Sequence, residues 1–190
     1  LAELKDDGGT SNGGDDTVLP GNSGTVTVEP VNDAPTLSVS ASDPTFTEDG
    51  SAAGVFSSAS TDLIESGQVV ERLTVTVGNL ADGPAETLVV DGSEVTLQDG
   101  NSVNGTSGNG LDATVSVSSG TATVDITGGF TEATANSVIN TLAYKNTSQD
   151  PSAGSGRPVT LAEIQDDGGT ANGGSDTASP GNSSTVSIEP

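Results

Sequence analysis

A loop late in the chain alternates hard oxygen ligands with glycines. It covers residues 166–177 and reads DDGGTANGGSDT. Its candidate metal ligands are Asp166, Asp167, Asn172 and Asp176. Glycines let a backbone fold closely around an ion, and calcium accepts about six to eight oxygens in irregular geometry. The loop therefore predicts a calcium site, although the same residue types also form ordinary solvated turns.

The same loop occurs a second time, near the beginning of the chain. Residues 6–17 read DDGGTSNGGDDT. The corresponding candidate ligands are Asp6, Asp7, Asn12 and Asp16. The repetition covers all of residues 1–30 and 161–190, which agree at 21 of 30 positions. A repeat of this kind indicates a tandem array, and tandem modules of this size are typical of long surface proteins rather than enzymes.

A second group of candidate ligands surrounds a joint stiffened by proline. Residues 29–35 read EPVNDAP. The expected ligands here are Glu29, Asn32, Asp33 and Glu65. Oxygens on both sides of a stiff joint could hold an ion between modules. The loops at Glu48-Asp49 and Glu65-Ser66-Gly67 could fold back to complete such a site. The alternative is that Asn32 and Asp33 only cap a turn.

The composition excludes several classes of partner and activity. The chain has 27 acidic residues, four basic ones and no histidine, so its formal net charge is -23. Such a chain repels nucleic acid and anionic membranes, and it has no apolar run long enough to insert into a bilayer. Without histidine or cysteine, a nucleophile activated by imidazole is impossible. Composition alone does not exclude a two-carboxylate glycosidase. Such sites usually lie in clefts rich in sugar-stacking aromatic rings, and this chain has only four aromatic residues, so we expect no enzyme.

The elements that must position these loops are mainly strands. Residues 36–40 and 73–77 alternate apolar and polar side chains with a period of two, which predicts strands. Asp91-Gly92 and Ser119-Gly120 each separate two such runs and predict hairpins. Two further runs, 159–164 and 185–188, form a last pair joined by the acidic loop. This pattern predicts an all-β antiparallel sandwich.

One segment has helical rather than strand periodicity. Over residues 131–142 the apolar positions are Ala135, Val138, Ile139 and Leu142, the spacing of one helix face. Thr131 is placed to cap the beginning of this short helix. With three Phe, one Tyr and no Cys in the chain, the core is expected to be aliphatic and thin, and to depend on metal or on neighbouring modules.

The joint also divides the chain. We predict that residues 31–190 form one complete module and that residues 1–30 are the C-terminal segment of a preceding repeat. The expected partners are therefore adjacent repeats of the same protein, around a monomeric module.

Three motifs together resemble a known family. They are VNDAP at 31–35, the acidic loop, and the predicted helix followed by LAYKNT at 142–147. They resemble the bacterial cadherin-like or Ig-like extender repeats of giant RTX-type and biofilm-associated adhesins. The resemblance implies an Ig-like or cadherin-like β-sandwich with Ca2+ at the loops and joint. It also implies a spacer on the bacterial cell surface that projects a distal adhesive domain.

Two other functions remain open from the sequence. One is a glycan-binding adhesion module, against which the shortage of aromatic residues argues. The other is a passive acidic spacer, in which the carboxylates provide solubility and bind no specific cation.

Overall fold

The computed structural model describes the whole chain, from Leu1 to Pro190. The chain divides into two compact units, Leu1–Pro30 and Val31–Pro190. The smaller unit contains a two-stranded antiparallel ribbon, β1 (Leu4–Lys5) and β2 (Thr17–Val18), with one turn of 3-10 helix between them.

The larger unit is all-β with one α-helix, which confirms the predicted fold class. Its strands before the helix are β3 (Thr36–Ala41), β4 (Thr45–Thr47), β5 (Ala53–Gly54), β6 (Phe56–Asp62), β7 (Val70–Val77), β8 (Glu86–Val90), β9 (Ser93–Thr96), β10 (Ser102–Val103), β11 (Asp112–Ser118) and β12 (Thr121–Phe130). Then follow α1 (Glu132–Thr141), β13 (Ala143–Asn146), β14 (Arg157–Asp166), β15 (Thr177–Ala178) and β16 (Ser183–Glu189).

The strands form one large sheet and two smaller ones. The large sheet has the order β10-β11-β12-β7-β14-β16-β4, and β15 adds to the end of β14. The second sheet has the order β5-β13-β8-β9, and β3 pairs with β6. All pairings are antiparallel except that of β4 with β16. Strand β14, which leads into the acidic loop, therefore lies inside the large sheet between β7 and β16.

Both predicted hairpins are confirmed, and their turns explain why the sequence reveals them. Asp91 and Gly92 have φ angles of 48° and 78°, and Ser119 and Gly120 have 51° and 77°. Two consecutive positive φ values define the type I′ turn that suits the twist of antiparallel strands. Turn chemistry at these four positions thus sets the register of β8 with β9 and of β11 with β12.

The predicted helix is also confirmed. The side-chain oxygen of Thr131 accepts a hydrogen bond from the backbone N–H of Thr134, as expected of an N-cap. The apolar positions of the helix are buried. A neighbouring polar face of the helix forms hydrogen bonds to the chain at and just after β6. Asn140 and Asn136 accept hydrogen bonds at 2.8–2.9 Å from the backbone N–H groups of alternate β6 residues, and Glu132 accepts one at 2.9 Å from Leu63, just after the strand. The helix therefore covers a strand edge that would otherwise be free to pair with another chain.

The core is aliphatic, as its composition predicts. Val, Leu and Ile supply most of the buried apolar side chains. All four aromatic side chains are buried too, and the rings of Phe46 and Tyr144 meet edge to face with centroids 5.8 Å apart. No helix is long and apolar enough to cross a membrane.

A buried polar network fixes the beginning of β14. Arg157 Nε and the Tyr144 hydroxyl both donate to Glu86 Oε1, and all three residues are at most 1% exposed. Burial raises the pKa of neighbouring Asp82, but hydrogen bonds from Ser152 and Asn146 and the charge of Arg157 outweigh burial and lower it below its ordinary value. Because these charges are paired and hydrogen-bonded, the network anchors the strand whose other end carries the acidic loop.

Candidate cation site at one end of the module

The acidic loop is a closed connection between β14 and β15. Gln165 lies opposite Thr177 in the ladder, and the backbone N–H of Asp166 donates to the carbonyl of Asp176 at 2.9 Å. Within the loop, Asn172 adopts the left-handed conformation, with φ of 56°. The loop is therefore held at its base by strand pairing and turned at its tip by a residue type that tolerates positive φ.

Asn32 is seated against this loop from the beginning of the module. Its side-chain Nδ2 donates to Asp166 Oδ1 at 2.9 Å and to the carbonyl of Ser175 at 2.8 Å. Its own carbonyl accepts from the N–H of Ser175 at 2.9 Å. Gln68 Nε2 donates to Asn32 Oδ1 at 2.5 Å. Asn32 thus joins the entry of the module to the loop and to a third segment.

Two loop glycines make this seating possible. A Cβ atom on Gly168 would lie 2.1 Å from Asn32 Oδ1 and 2.3 Å from Gln68 Nε2. A Cβ on Gly174 would lie 3.0 Å from the backbone N and O of Asn32. Glycine at these positions therefore admits the Asn32 segment, a role distinct from the predicted one of folding the loop around an ion.

The segment 65–69 completes the site. Asp33 N donates to Glu65 Oε1 at 3.1 Å, so the entry segment is held from this side as well. Val69 and Asp167 exchange two bonds, one from Val69 N to Asp167 Oδ1 at 3.0 Å and one from Asp167 N to the Val69 carbonyl at 3.2 Å.

The structure thus brings together five of the residues predicted as ligands, and adds one that the prediction missed. The five are Asn32, Asp33, Glu65, Asp166 and Asp167. Gln68 was not predicted, because nothing in its own segment indicates that β7 begins beside the acidic loop. Its sequence signal is its position three residues after Glu65, in a short polar segment before β7.

Three side-chain oxygens at this site are buried and have no hydrogen-bond partner. They are Glu65 Oε2, Gln68 Oε1 and Asp166 Oδ2. Asp166 is 0% exposed, so water cannot solvate its carboxylate freely. Each buried acceptor without a donor costs about 1–3 kcal/mol, and more when it carries charge. Three such acceptors on side chains that hydrogen-bond to Asn32 or Asp33 are the arrangement that a bound cation would relieve.

The donor set is mixed rather than purely anionic. No group of three or more Asp or Glu side chains is placed to hold a metal ion on its own. Two carboxylates and one side-chain amide oxygen are nevertheless suitable calcium ligands, since calcium binds carboxylate, amide and backbone oxygens together. The residues present therefore fit Ca2+, with further oxygens needed from backbone or water.

The remaining predicted ligands lie apart from this group. The side chain of Asn172 is exposed at the tip of the loop and makes no hydrogen bond. Asp176 accepts from Gln165 Nε2 at 3.2 Å.

Glu48 and Asp49 lie at the other end of the module, so they do not join the Asn32 site. Glu48 N donates to the carbonyl of Glu189, and Asp49 accepts from Gln149. Since Arg157 lies opposite Val186 in the ladder, Glu189 extends beyond the first residue of β14, whereas Asp166 is its last residue. Strand pairing of β4 with β16 carries Glu48 to that far end.

The first copy of the loop, in the smaller unit, has the same internal geometry. Asp6 N donates to the carbonyl of Asp16 at 2.9 Å, and Gly8 N donates to Asp6 Oδ1 at 2.8 Å. Asn12 has φ of 57°. Asp6, Asp7, Asn12 and Glu29 are exposed in this unit, and Asp16 forms an ion pair with Lys5. The loop conformation is shared, but burial of the first carboxylate is not.

Comparisons of the chain with protein-family models, with curated proteins and with solved structures find no match. The features of the chain that point to a function are therefore the repeat and the geometry of this site.

Proposed function

We propose that the chain is a structural extender repeat of a bacterial surface adhesin. In this function each module is a spacer, stiffened by calcium, that helps to project a distal binding domain for adhesion or biofilm formation. The observation that carries the proposal is the set of unpartnered buried oxygens on Glu65, Gln68 and Asp166, whose side chains hydrogen-bond to the entry segment at Asn32 and Asp33.

The proposed mechanism is electrostatic. Without a cation, the buried Asp166 carboxylate and the partly buried Glu65 carboxylate lack partners for one oxygen each. Glu65, Gln68 and Asp166 would hold the ion, and Asn32 and Asp33 are bonded directly to them. A bound calcium ion would attract both carboxylates, which offsets the cost of burying them and their repulsion of each other. Ordering the ligands then orders the entry segment.

The path of the chain suits a spacer. The module is entered at Asn32, beside the last residue of β14, and left at Glu189, beyond the first residue of that strand. Entry and exit therefore lie at opposite ends. Because residues 29–30 repeat residues 189–190, the exit of one module would be followed directly by the VNDAP entry of the next. A cation at Asn32 would then lie at each joint.

The aromatic residues favour a spacer over the glycan-binding alternative. A hollow of about 530 Å³ lies beside the site and is lined by polar groups that include Arg72, Glu71 and Gln165. No aromatic ring lines it, since all four aromatic side chains are in the core. A sugar could therefore not stack on an aromatic side chain in this hollow.

The proposed location is the bacterial cell surface, and the proposed partners are adjacent repeats. The net charge of -23 keeps such repeats soluble and mutually repulsive until cations bind. Calcium at roughly 10⁻⁴–10⁻³ M, the range over which extracellular modules bind it, would be sufficient outside a cell.

Thermal unfolding of the whole chain tests this function. The melting temperature is measured at fixed ionic strength with chelator, with 10 mM magnesium and with 10 mM calcium. For a Kd of about 10⁻⁴–10⁻³ M, calcium should stabilise the fold by roughly 1.4–2.7 kcal/mol, and magnesium by much less. Glu65→Gln should lose most of this gain, whereas Glu48→Gln, at the other end of the module, should keep it. Equal melting temperatures in chelator and in calcium would contradict the proposal and favour a passive spacer whose acidic residues serve only solubility.

A further inference from the structure

Strand β3 (Thr36–Ala41) has a free edge along its whole length. It pairs with β6 on one side and with no strand on the other. Apart from this pairing, no hydrogen bond to the rest of the chain involves its six residues. In an antiparallel pair, alternate residues direct their N–H and C=O groups away from the partner strand. The outer edge of β3 is therefore a row of unpaired groups on which another strand can pair.

The other sheet edges of the larger unit are short, charged or covered. Strands β4, β5, β10 and β15 have only two or three residues each. Strand β9 has four, and one of them, Glu94, forms an ion pair with Lys145. The outer edge of β6 is covered by α1. These are the means by which proteins prevent edge-to-edge pairing, and β3 uses none of them.

Strand β3 is also uncharged and regular. It reads TLSVSA, with no acidic residue among its six, although the chain has 27. Ser38 and Ser40 are exposed on its outer face, and Leu37 and Val39 are half-buried against the core. The bulge in its ladder with β6 places the extra residue in β6. A second strand can therefore approach β3 without meeting a bulge or a carboxylate of the strand itself.

The strand is complementary to itself in an antiparallel pair. Residues directly opposite each other in such a pair point to the same face of the sheet. Pairing must therefore match the apolar positions with one another and the serines with one another. A two-fold axis at Val39 does this: Val39 lies opposite its own copy, Leu37 opposite Ala41, and Ser38 opposite Ser40.

The residues that flank β3 do not oppose this register. Continued beyond the strand, it places Asp43 opposite Pro35 and Asp33 opposite Thr45. No carboxylate lies directly opposite another, which is the arrangement that would destabilise the pair.

We propose that β3 is a self-recognition edge, which pairs antiparallel with β3 of a second copy of this chain. The pair joins two β3–β6 ribbons into one four-stranded sheet across an isologous two-fold interface. A single strand pair buries less area than a standard interface, and two chains of net charge -23 repel each other. The pairing is therefore weak between single modules, and salt strengthens it by screening the repulsion.

The direction of β3 gives this pairing a consequence that rests on the proposed spacer function. The strand begins four residues after Asn32, at the entry of the module, and leads to β4, whose pairing with β16 lies at the exit. Antiparallel pairing therefore sets two modules side by side with entry and exit reversed. Spacers that project from two facing cells run in opposite directions, so this edge would join them, and contacts of successive repeats would add by avidity.

Association of the full chain in solution tests the proposal. Its mass is measured by sedimentation equilibrium from micromolar to millimolar concentration, in chelator, at low and at high salt. Dimers should form at the highest concentrations, and more of them at high salt. A chain that stays monomeric at millimolar concentration in high salt would overturn the proposal. Since no calcium is present, this result is independent of the calcium response that tests the spacer function.

Two variants of equal net charge locate the contact. Ser38→Glu with Ser40→Glu places carboxylates directly opposite each other in the pair and should weaken the dimer at least about ten-fold. Thr114→Glu with Ser116→Glu adds the same charge at exposed positions of β11, which lies between β10 and β12, and should weaken it far less. Equal weakening by both variants would show that association does not use the β3 edge.

A charge-swapped variant tests the register. Ser38→Lys with Ser40→Glu leaves the net charge unchanged and places Lys opposite Glu twice in a pair centred on Val39. It should dimerise roughly two-fold more tightly than the unmodified chain, or better. No gain would overturn this register. Because Ser38 and Ser40 are exposed, the melting temperature of the monomer should be nearly unchanged, which confirms that the variants are folded.

Discussion

The two copies of the thirty-residue repeat fold their loops alike and differ in what covers them. In both, the N–H of the first Asp bonds to the carbonyl of the last Asp at 2.9 Å. In both, the Asn of the 3-10 turn has a φ of about 56–57°. Yet Asp6 is exposed and Asp166 is completely buried. The conformation of the loop is therefore determined locally by its sequence, whereas the candidate cation site is created by tertiary contacts.

The contacts that make the difference come from far along the chain. Asn32 contacts Asp166 of the second loop although the two are 134 residues apart in the sequence. Gln68 in turn contacts Asn32, which lies 36 residues before it. Asp167 is bonded to Val69. An acidic glycine-rich loop alone is therefore a turn, and it becomes a cation site only where an entry segment and a third loop enclose it.

Apolar truncation should separate the two copies most strongly. Leu161→Ala removes a completely buried side chain and should lower the free energy of unfolding by about 2–5 kcal/mol. Leu1→Ala, at the matching exposed position, should change it by less than about 0.5 kcal/mol. Urea unfolding of both variants measures this difference. Similar losses from the two substitutions would show that residues 1–30 are packed as tightly as residues 161–190.

Glycine substitution should give the next largest contrast. Gly168→Ala would place a methyl group within 2.1 Å of Asn32 Oδ1 and should destabilise the module by about 1–3 kcal/mol. Gly8→Ala would meet only the side chain of Asp6, at 3.1 Å, and should be nearly neutral. Thermal unfolding in chelator compares them. A neutral Gly168→Ala would mean that Asn32 is not seated against the loop.

Exchange of Lys5 for Gln, or of Gln165 for Lys, should change the free energy of unfolding least. Lys5 is 60% exposed in its ion pair with Asp16, and exposed pairs contribute about 0–1 kcal/mol. Lys5→Gln should therefore shift the urea midpoint by less than can be measured with confidence, and Gln165→Lys should be tolerated. A loss above about 1 kcal/mol for Gln165→Lys would indicate that a positive charge is not tolerated at this position of the module.

The features that sequence predicted correctly are those determined locally. Asp91-Gly92 and Ser119-Gly120 specify their turns by themselves, and Thr131 with the spacing of Ala135, Val138 and Ile139 specifies the helix. These signals lie within about ten residues of the structure they determine, so no knowledge of the tertiary fold is needed.

The site was predicted only in part because its members are distant in sequence. Pairing of β4 with β16 places Glu48 beside Glu189. No local sequence pattern predicts this pairing. Gln68 lies at the site because β7 begins next to the end of β14, a tertiary pairing that the residues around Gln68 do not indicate. The edge contacts of Asn136 and Asn140 with β6 were missed for the same reason.

The most direct test of the account is the calcium response of two matched variants, Asp166→Asn and Asp6→Asn. Melting temperatures are measured for both and for the unmodified chain, in chelator and in 10 mM calcium. We predict that Asp6→Asn keeps the full calcium-induced rise and that Asp166→Asn loses most of it. In chelator, Asp166→Asn should melt no earlier than the unmodified chain, because a buried carboxylate with one unpartnered oxygen is replaced by a neutral amide. A full calcium response in Asp166→Asn would contradict the proposed site.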